Sequence, residues 1–436
     1  MKPEALMHKI ESGAFDTTFH LMYGTAPGII ADQKKRYLDA IRAFSAHYPQ
    51  RQDVFLFSAP GRTEIGGNHT DHQYGCVLAA AVNLDVIAVV AFHQDGVIRL
   101  QSKGYPADTV ALSDLAPHPE EQGTSAAIIR GMAAHFAALG CTIGGFDAYT
   151  TSDVLSGSGL SSSAAFEVLL GTILDQHYNW GKAGAVSVAK AAQRAENVYF
   201  GKASGLMDQM VSAAGGFVGI DFADPEQPKI ENHIFNFDQA GYTLCITDTK
   251  GSHADLTPDY SAVPQEMRQV AQFFGKSVLR DVEEGAFLEA LPRLREHCSD
   301  RAILRAAHFF AENKRAIAES QALSQGDMPE FLRLVQASGD SSDSLLQNLY
   351  SVRKPEQQAL GLGIWRSKQL LQGKGAVRVH GGGFAGTIQA FVPLALTERY
   401  IQEMNRLFGN GSCQTLRIRP MGGVSVTEST QTAKEL

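Results

Sequence analysis

Apolar and polar residues alternate with a helical period over the first fifty residues. The segment QKKRYLDAIRAFSAHY places apolar residues three or four positions apart, which predicts an amphipathic helix. From Asp53 onward the pattern changes to short segments that are rich in β-branched and aromatic residues and are separated by turn formers. The segments that therefore predict strands are VFLFSAPG, DVIAVVAFH, VIRLQS and FDAYTTSDV.

Helices are predicted between these strands and in the second half of the chain. SAAIIRGMAAHFAALG ends on a glycine, as helices often do, and SAAFEVLLGTILDQHY follows it as a second apolar helix. The strand YTLCITDT precedes a long helical stretch from about Ser261 to Leu371, and VRVHGGG and GTIQAFVP predict a closing strand pair. This mixture indicates an α/β or α+β fold, of which α+β is the class that we expect.

A polar segment with two prolines, ADPEQPK, indicates a domain boundary. It predicts an N-terminal domain of residues 1–230 and a C-terminal domain of residues 231–436, and a chain of 436 residues is long enough for two cores. We expect the tail STQTAKEL to be frayed.

Charge and composition exclude several classes of partner. With 38 Lys and Arg against 46 Asp and Glu, the net charge is −8, which disfavours nucleic acid and anionic membranes. The most apolar region, VLAAAVNLDVIAVVAF, is interrupted by Asn83 and Asp85, so no membrane span is predicted. The five cysteines form no CxxC pair, and no secretory signal is visible, so we expect a cytoplasmic protein with reduced thiols. The oligomeric state is not predicted.

The segment GSGLSSSAA, residues 157–165, is the first candidate site. Glycine allows close approach of a ligand to the backbone, and the N-terminus of the following helix offers unsatisfied N–H groups and a partial positive charge. Such a loop can hold phosphates, although the lysine of a Walker A motif is absent. By itself the segment is equally compatible with a tight turn and a serine that caps the helix.

Two further segments strengthen the phosphate-site interpretation. APGRTEIGGNHTDHQYG, residues 59–75, concentrates arginine, asparagine, histidine and aspartate after a hydrophobic strand, where loops commonly contact ligands. His69 and His72 have no third ligand at a compatible spacing, which argues against a metal site. HGGGFAG, residues 380–386, is a glycine turn between two strands, a pattern that ordinary hairpins also show.

The three glycine-containing motifs, in this order, resemble those of the GHMP small-molecule kinases, and within them the galactokinases. The likeness extends from about Phe55 to Val392. It implies an N-terminal domain similar to ribosomal protein S5 domain 2, a ferredoxin-like C-terminal domain, and an active site at their interface. It also implies ATP and Mg²⁺ as cofactors and a sugar as the substrate.

The resemblance assigns roles to individual residues. The ATP phosphate loop would comprise Gly157, Ser158, Gly159, Leu160, Ser161, Ser162 and Ser163. Ser163 and Glu196 match the magnesium ligands, although Glu196 alone would be interpreted as a solvated helix charge. Asp208 matches the catalytic aspartate, and Arg62 matches the arginine beside it. A neighbouring guanidinium keeps a carboxylate ionised, so Asp208 could orient a sugar hydroxyl and accept its proton.

The sugar-binding residues implied by the resemblance are Asn68, His69, Asp71, Gly205 and Tyr260. The motif nevertheless departs from the family. Galactokinases typically read GRVNLIGEHTDY, whereas this chain reads GRTEIGGNHTDH, so that Asn68 replaces the glutamate expected to bond the 6-hydroxyl. An amide can bond a neutral hydroxyl and would also tolerate a carboxylate at C6.

The leading hypothesis is therefore ATP-dependent phosphorylation of a sugar at its anomeric 1-hydroxyl, with D-galactose converted to α-D-galactose 1-phosphate. One alternative is a kinase for galacturonate or arabinose, because Asn68 differs from the family. Another is a catalytically silent sensor of sugar and ATP, which the complete serine loop and the presence of both Arg62 and Asp208 disfavour.

Overall fold

The computed structural model describes residues 1–25, 27–154, 159–202, 204–233, 235–251 and 255–428. Twelve strands lie within these ranges: β1 Phe55–Gly66, β2 Cys76–His93, β3 Val97–Ser102, β4 Ala107–Ala111, β5 Gly145–Ser152, β6 Phe217–Asp221, β7 Lys229–His233, β8 Tyr242–Asp248, β9 Ala376–Val379, β10 Thr387–Pro393, β11 Cys413–Leu416 and β12 Val424–Ser425.

The same ranges contain fourteen α-helices: α1 Pro3–Glu11, α2 Asp16–Tyr23, α3 Pro27–His47, α4 Ser125–Ala138, α5 Ser162–Asn179, α6 Gly184–Arg194, α7 Met207–Ala214, α8 Thr257–Phe273, α9 Glu284–Glu289, α10 Leu291–His297, α11 Asp300–Gln325, α12 Met328–Ser341, α13 Ala359–Leu371 and α14 Thr397–Phe408. Short 3₁₀ turns are found at Asp71–Gln73, Pro119–Glu121, Leu279–Asp281 and Leu394–Leu396, and π-helical turns at Ala195–Phe200 and Ser342–Leu346.

The strands form two sheets. The eight-stranded sheet has the order β12-β1-β2-β5-β3-β4, with β6 paired to the other end of β2 and β7 paired to β6. All its pairs are antiparallel except β3 with β5. The second sheet has the order β11-β8-β10-β9 and is entirely antiparallel.

Both faces of the first sheet are covered by helices, which explains the nearly continuous apolar runs of its central strands. Phe57 and Val90 face a core formed with α4 and α5. Their neighbours Leu56 and Val89 face the opposite way, into a core formed with α1, α2 and α3. Because strand side chains alternate between faces, a strand buried on both sides loses the alternating pattern and keeps only its apolar character.

The predicted strands and helices of the first half are confirmed, with one correction. The polar segment after Gly61 is expected to be a loop, but β1 continues to Gly66 because its backbone stays paired with β2, with register shifts on either side of the segment from Arg62 to Glu64. In the second half, turns divide the predicted helical stretch into the helices from α8 to α13.

The division of the chain at residue 230 stays a prediction. Residue 230 lies inside β7, and the chain returns to the first sheet at its C-terminal end, where β12 pairs with β1 and Ile418 bridges to Val82. The predicted frayed tail is residues 429–436, which are outside the described ranges. None of the helices within those ranges combines the length and apolar composition needed to cross a membrane.

Candidate active site

Arg62 and Asp208 form an ion pair at the N-terminus of α7. Arg62 lies on β1 and donates from Nε to Asp208 Oδ1 at 2.7 Å, while its Nη1 donates to the carbonyl of Gly159. The arginine side chain is 8% exposed and the aspartate side chain 30% exposed. The guanidinium is therefore held in place by the protein, while the carboxylate remains accessible to a ligand.

Ser161 occupies the N-cap position of α5, but its side chain does not cap the helix. Its backbone is left-handed, with φ 55° and ψ 63°, and its hydroxyl donates to Asp208 Oδ2. The capping interpretation is wrong for the Ser161 hydroxyl, because this group is directed to the aspartate. The helix start thus keeps N–H groups available for an anion, next to the ion pair.

The other residues of the predicted phosphate loop are positioned as follows. Leu160 is buried in the core, Ser162 begins α5 half-buried, and Ser163 in the first turn is exposed. Gly157 and Ser158 lie outside the described residues.

The three motifs meet around Gly159. The backbone N–H of Arg62 donates to the carbonyl of Leu160 at 3.0 Å, which joins the first motif to the second. His380 of the third motif lies 3.0 Å from Thr63 Oγ1 through its Nε2. A Cβ on Gly159, whose φ is +75°, would come within 2.9 Å of His380 Nδ1. Glycine is thus required at position 159 for this close approach.

Three of the predicted sugar-binding residues, Asn68, His69 and Tyr260, contact the glycine turn of the third motif. His69 Nε2 lies 2.9 Å from the carbonyl of Gly382, and the Tyr260 hydroxyl donates to the carbonyl of Gly383 at 2.8 Å. Burial, together with the nearby His72, lowers the pKa of His69 to about 4, so its imidazole is neutral at physiological pH.

Gly205 approaches Asp71 so closely that a Cβ on the glycine would come within 2.9 Å of Asp71 Oδ2. A side chain at position 205 would therefore press on the carboxylate that is predicted to bind the sugar. The absence of a side chain there keeps Asp71 accessible from this direction.

Asn68 lies deeper than the prediction implies. Its side chain is 1% exposed, and its amide nitrogen donates to Glu64 Oε1 at 2.9 Å and to the carbonyl of Gly381 at 2.8 Å. Its amide oxygen accepts from Asn348 Nδ2 at 2.9 Å. All the polar groups of this side chain are used within the protein. Glu64, to which the sequence motifs assign no role, is the carboxylate that contacts Asn68.

Of the two predicted magnesium ligands, Ser163 and Glu196, the second contacts Gln209. Glu196 lies in the π-helical turn after α6 and is 3% exposed; it accepts from Lys202 Nζ at 2.5 Å and from Gln209 Nε2 at 3.0 Å. Gln209 Nε2 also donates to Glu167 Oε2 at 3.1 Å. Ser163 lies one helical turn before Glu167 on α5.

This arrangement fits a hard cation in part. Burial, together with the charge of Glu196, raises the pKa of Glu167 to about 8. Gln209 Oε1 is buried and has no hydrogen-bond partner among the described residues. Carboxylate, amide and hydroxyl oxygens are ligands that Mg²⁺ accepts. Across the described ranges, no three acidic, histidine or cysteine side chains form a metal-binding group, so ATP phosphates and water would have to complete the shell.

Known proteins share this arrangement of motifs. The galactokinase galactose-binding signature matches residues 42–92, and the GHMP kinases N terminal domain matches residues 127–216. A galactokinase of Streptomyces coelicolor is 31% identical over 368 residues, which cover 83% of this chain and 91% of that protein.

Solved structures show the fold. A Lactococcus lactis galactokinase in complex with galactose matches with a TM-score of 0.74 at 20% identity, covering 88% of this chain and 99% of that one. The mevalonate kinase of Methanococcus jannaschii matches with a TM-score of 0.59 at 13% identity, covering 84% and 98%. The chain therefore has the two-domain fold shared by these kinases.

Proposed function

Because this chain belongs to the galactokinase family of GHMP kinases and is an ATP-dependent sugar kinase, we propose that it phosphorylates D-galactose at its anomeric 1-hydroxyl. The product is α-D-galactose 1-phosphate. The observation that carries the assignment is the Arg62–Asp208–Ser161 constellation beside the N-terminus of α5. It combines an accessible carboxylate, a fixed guanidinium and a helix start suited to phosphate.

In the proposed reaction, Asp208 accepts the proton of the sugar 1-hydroxyl. The hydroxyl oxygen forms a bond to the γ-phosphorus of ATP, the bond from that phosphorus to the bridging oxygen breaks, and ADP leaves. Transition states of this kind are loose, so positioning and charge neutralisation contribute most of the acceleration. Arg62 orients Asp208 through Nε and places positive charge beside the phosphates.

The remaining predicted contacts enter the proposal in supporting roles. His69, Asp71, Gly205 and Tyr260 would bind the sugar, and residues 157–163 would bind the ATP phosphates. Mg²⁺, held by Ser163 and Glu196, would neutralise phosphate charge when bound. The cytoplasmic location stays a prediction.

The test is an ADP-release assay with Mg²⁺ and ATP, using galactose, galacturonate and arabinose as acceptors. We expect the highest kcat/KM for galactose and a product phosphorylated at the anomeric position, identified by ³¹P NMR. A higher kcat/KM for galacturonate or arabinose would reassign the substrate. Measurable sugar binding without any turnover would instead favour the sensor.

A further inference from the structure

Glu64 lies inside the candidate site although no motif assigns it a role. It follows Arg62 by two positions on β1, and the two residues pair regularly with β2, Arg62 opposite Ala81 and Glu64 opposite Ala79. Residues two apart on a strand project from the same face. Burial raises the pKa of Glu64, and the charges of Arg378, Arg62 and Asp71 act on the same carboxyl. Glu64 is thus close to both the proposed catalytic arginine and a proposed sugar-binding aspartate.

The two oxygens of Glu64 have different environments. Oε1 accepts from Asn68 Nδ2 at 2.9 Å and from Arg378 Nη2 at 2.8 Å. For Oε2, the described part of the chain provides no hydrogen-bond donor, and the residue keeps 5% of its surface exposed. One oxygen is therefore fixed by the protein and the other has unused acceptor capacity.

Arg378 opposes the effect of burial on the pKa of the Glu64 carboxyl and favours its ionised form. Its side chain is fully buried, and Glu64 is the one acidic side chain with which it forms an ion pair among the described residues. Removing the charge of one member of a buried pair leaves the other uncompensated, which is strongly unfavourable. The ion pair therefore favours the form in which the second oxygen of Glu64 can accept a hydrogen bond.

The family motif has an amide at the position where this chain has Glu64. Where galactokinases read GRVNLIGEHTDY, this chain reads GRTEIGGNHTDH, so the family's amide position holds Glu64 and the family's carboxylate position holds Asn68. The two side chains are hydrogen-bonded to each other. The carboxylate and the amide have exchanged places, and the site keeps one of each.

We propose that Glu64 is a sugar-binding residue that determines specificity, with Oε2 accepting a hydrogen bond from one hydroxyl of a neutral hexose. This inference rests on the proposed sugar kinase function and deepens it. A carboxylate at this position repels a carboxylate at C6, so the chain discriminates against galacturonate even though Asn68 alone would tolerate it. Asn68 is a positioning residue that holds Oε1 and thereby directs Oε2.

The decisive experiment compares the wild type with Glu64→Gln on galactose and on 2-, 3-, 4- and 6-deoxygalactose. We expect the substitution to lower kcat/KM for galactose by about 10- to 100-fold, mainly through KM, because a hydrogen bond to a charged group is weakened. The KM for ATP should not change. With one deoxy sugar, which lacks the bonded hydroxyl, the two enzymes should have equal kcat/KM within about twofold.

The matched control is Glu266→Gln on α8. Glu266 also pairs with a buried arginine, Arg305, at 3.0 Å, but its ion-pair partners are Arg301 and Arg305 of α11 rather than residues of the proposed sugar site. The Glu266→Gln substitution should lower the melting temperature while leaving the pattern of kcat/KM across the sugars unchanged.

The outcomes separate the two proposals. If Glu64→Gln lowers kcat/KM by the same factor for galactose and for all four deoxy sugars, Glu64 contacts no hydroxyl and the inference is overturned. If Glu64→Gln does not fold, the double variant Glu64→Asn with Asn68→Glu, which keeps one carboxylate and one amide, replaces it in the same comparison. Wild-type turnover of galacturonate equal to that of galactose also overturns the inference. A wild type that phosphorylates neither sugar contradicts the proposed function itself.

Discussion

Two arginine–aspartate pairs on the first sheet show how the same chemistry serves two purposes. One is centred on Asp85 of β2, at the interface between the sheet and the N-terminal helices. The other is the Arg62–Asp208 pair of the candidate active site. They differ in how many of the carboxylate's hydrogen-bonding positions the protein itself occupies.

The Asp85 carboxylate is saturated. Its Oδ1 accepts from Arg36 at 2.6 Å, and its Oδ2 accepts from Tyr23 at 2.6 Å, Ser58 at 2.5 Å and Arg419 at 3.0 Å. A carboxylate has about four acceptor positions, and the side chain is 0% exposed. Burial alone raises the pKa of Asp85, but Arg36, Arg419 and the two hydroxyl donors outweigh it and hold the pKa below its ordinary value.

Asp208 accepts only two hydrogen bonds among the described residues, from Arg62 and Ser161, and is 30% exposed. About two acceptor positions remain for a substrate. The comparison teaches that an arginine partner does not by itself indicate catalysis. The functional pair is distinguished by its unused acceptor capacity, which is also the property that singles out Glu64.

The largest expected effect is on activity. Asp208→Asn should lower kcat by about 10²- to 10⁴-fold, because an amide cannot accept the sugar proton. The melting temperature and the affinity for ATP should change little, as the carboxylate is partly exposed. Asp221→Asn is the matched control, since Asp221 is 28% exposed and pairs with Arg280 at 2.9 Å away from the site. A kcat above a tenth of the wild-type value would contradict the assigned role.

The second effect is on stability. Asp85→Asn should lower the free energy of unfolding by about 3–5 kcal/mol, because Arg36 and Arg419 remain buried without a compensating charge. Urea denaturation measures the change, and the kcat of the folded variant should stay within about twofold of the wild type. If kcat instead fell as far as in Asp208→Asn, the two pairs would not be functionally separate.

The third effect is a smaller loss of stability at the Asp85 cluster. Tyr23→Phe removes one of the four donors to Asp85 and should cost about 1.5 kcal/mol in the free energy of unfolding. Tyr105→Phe serves as the control, because Tyr105 is 68% exposed. A loss as large as that of Asp85→Asn would mean that the hydroxyl, rather than the two arginines, holds the cluster together.

The smallest effect concerns Glu319 of α11, a third carboxylate beside this sheet. It is 0% exposed, both its oxygens lack hydrogen-bond partners within the described ranges, and a Cβ on Gly66 would collide with it. Burial, followed by the charge of Glu312, raises its pKa well above the ordinary value. The folded protein therefore keeps a proton that the unfolded chain releases, and stability falls as the pH rises above the unfolded pKa.

Glu319→Gln should remove this loss of stability at high pH, because glutamine does not titrate. The melting temperature of the variant should exceed that of the wild type at pH 8, and the difference should shrink at pH 5. The exposed Glu296→Gln on α10 is the control and should show no such pH dependence. An equal difference at both pH values would show that Glu319 does not titrate in the folded protein.

Much of the fold follows from local patterns. The helical period of residues 33–48 predicts α3, the β-branched segments predict β2, β3 and β5, and the glycine–serine motif predicts the start of α5. The local pattern missed the continuation of β1 to Gly66, and no predicted segment covers β4, β7, α6, α7 or α14. The polar residues after Gly61 are typical of a loop, yet pairing with β2 keeps this segment extended.

For the site, the motifs predicted which residues carry the chemistry but not which of them still have polar groups that can bind a ligand. Asn68 is the departure from the motif on which the prediction rested, and Glu64 is a second departure in the same motif that also shares a strand face with Arg62. Nothing local indicates that Asn68 is saturated, because its partner Asn348 lies 280 positions away.

The sequence by itself determined many of the helices, most strands, the kinase motifs and the chemical identity of the groups at the site, since each depends on neighbours along the chain. Only the tertiary structure decided which carboxylates are saturated and which are open. Arg419 reaches Asp85 across 334 positions and Arg378 reaches Glu64 across 314. Burial and hydrogen-bond saturation arise from such distant contacts, and they separate a carboxylate that stabilises the fold from one that can bind a substrate.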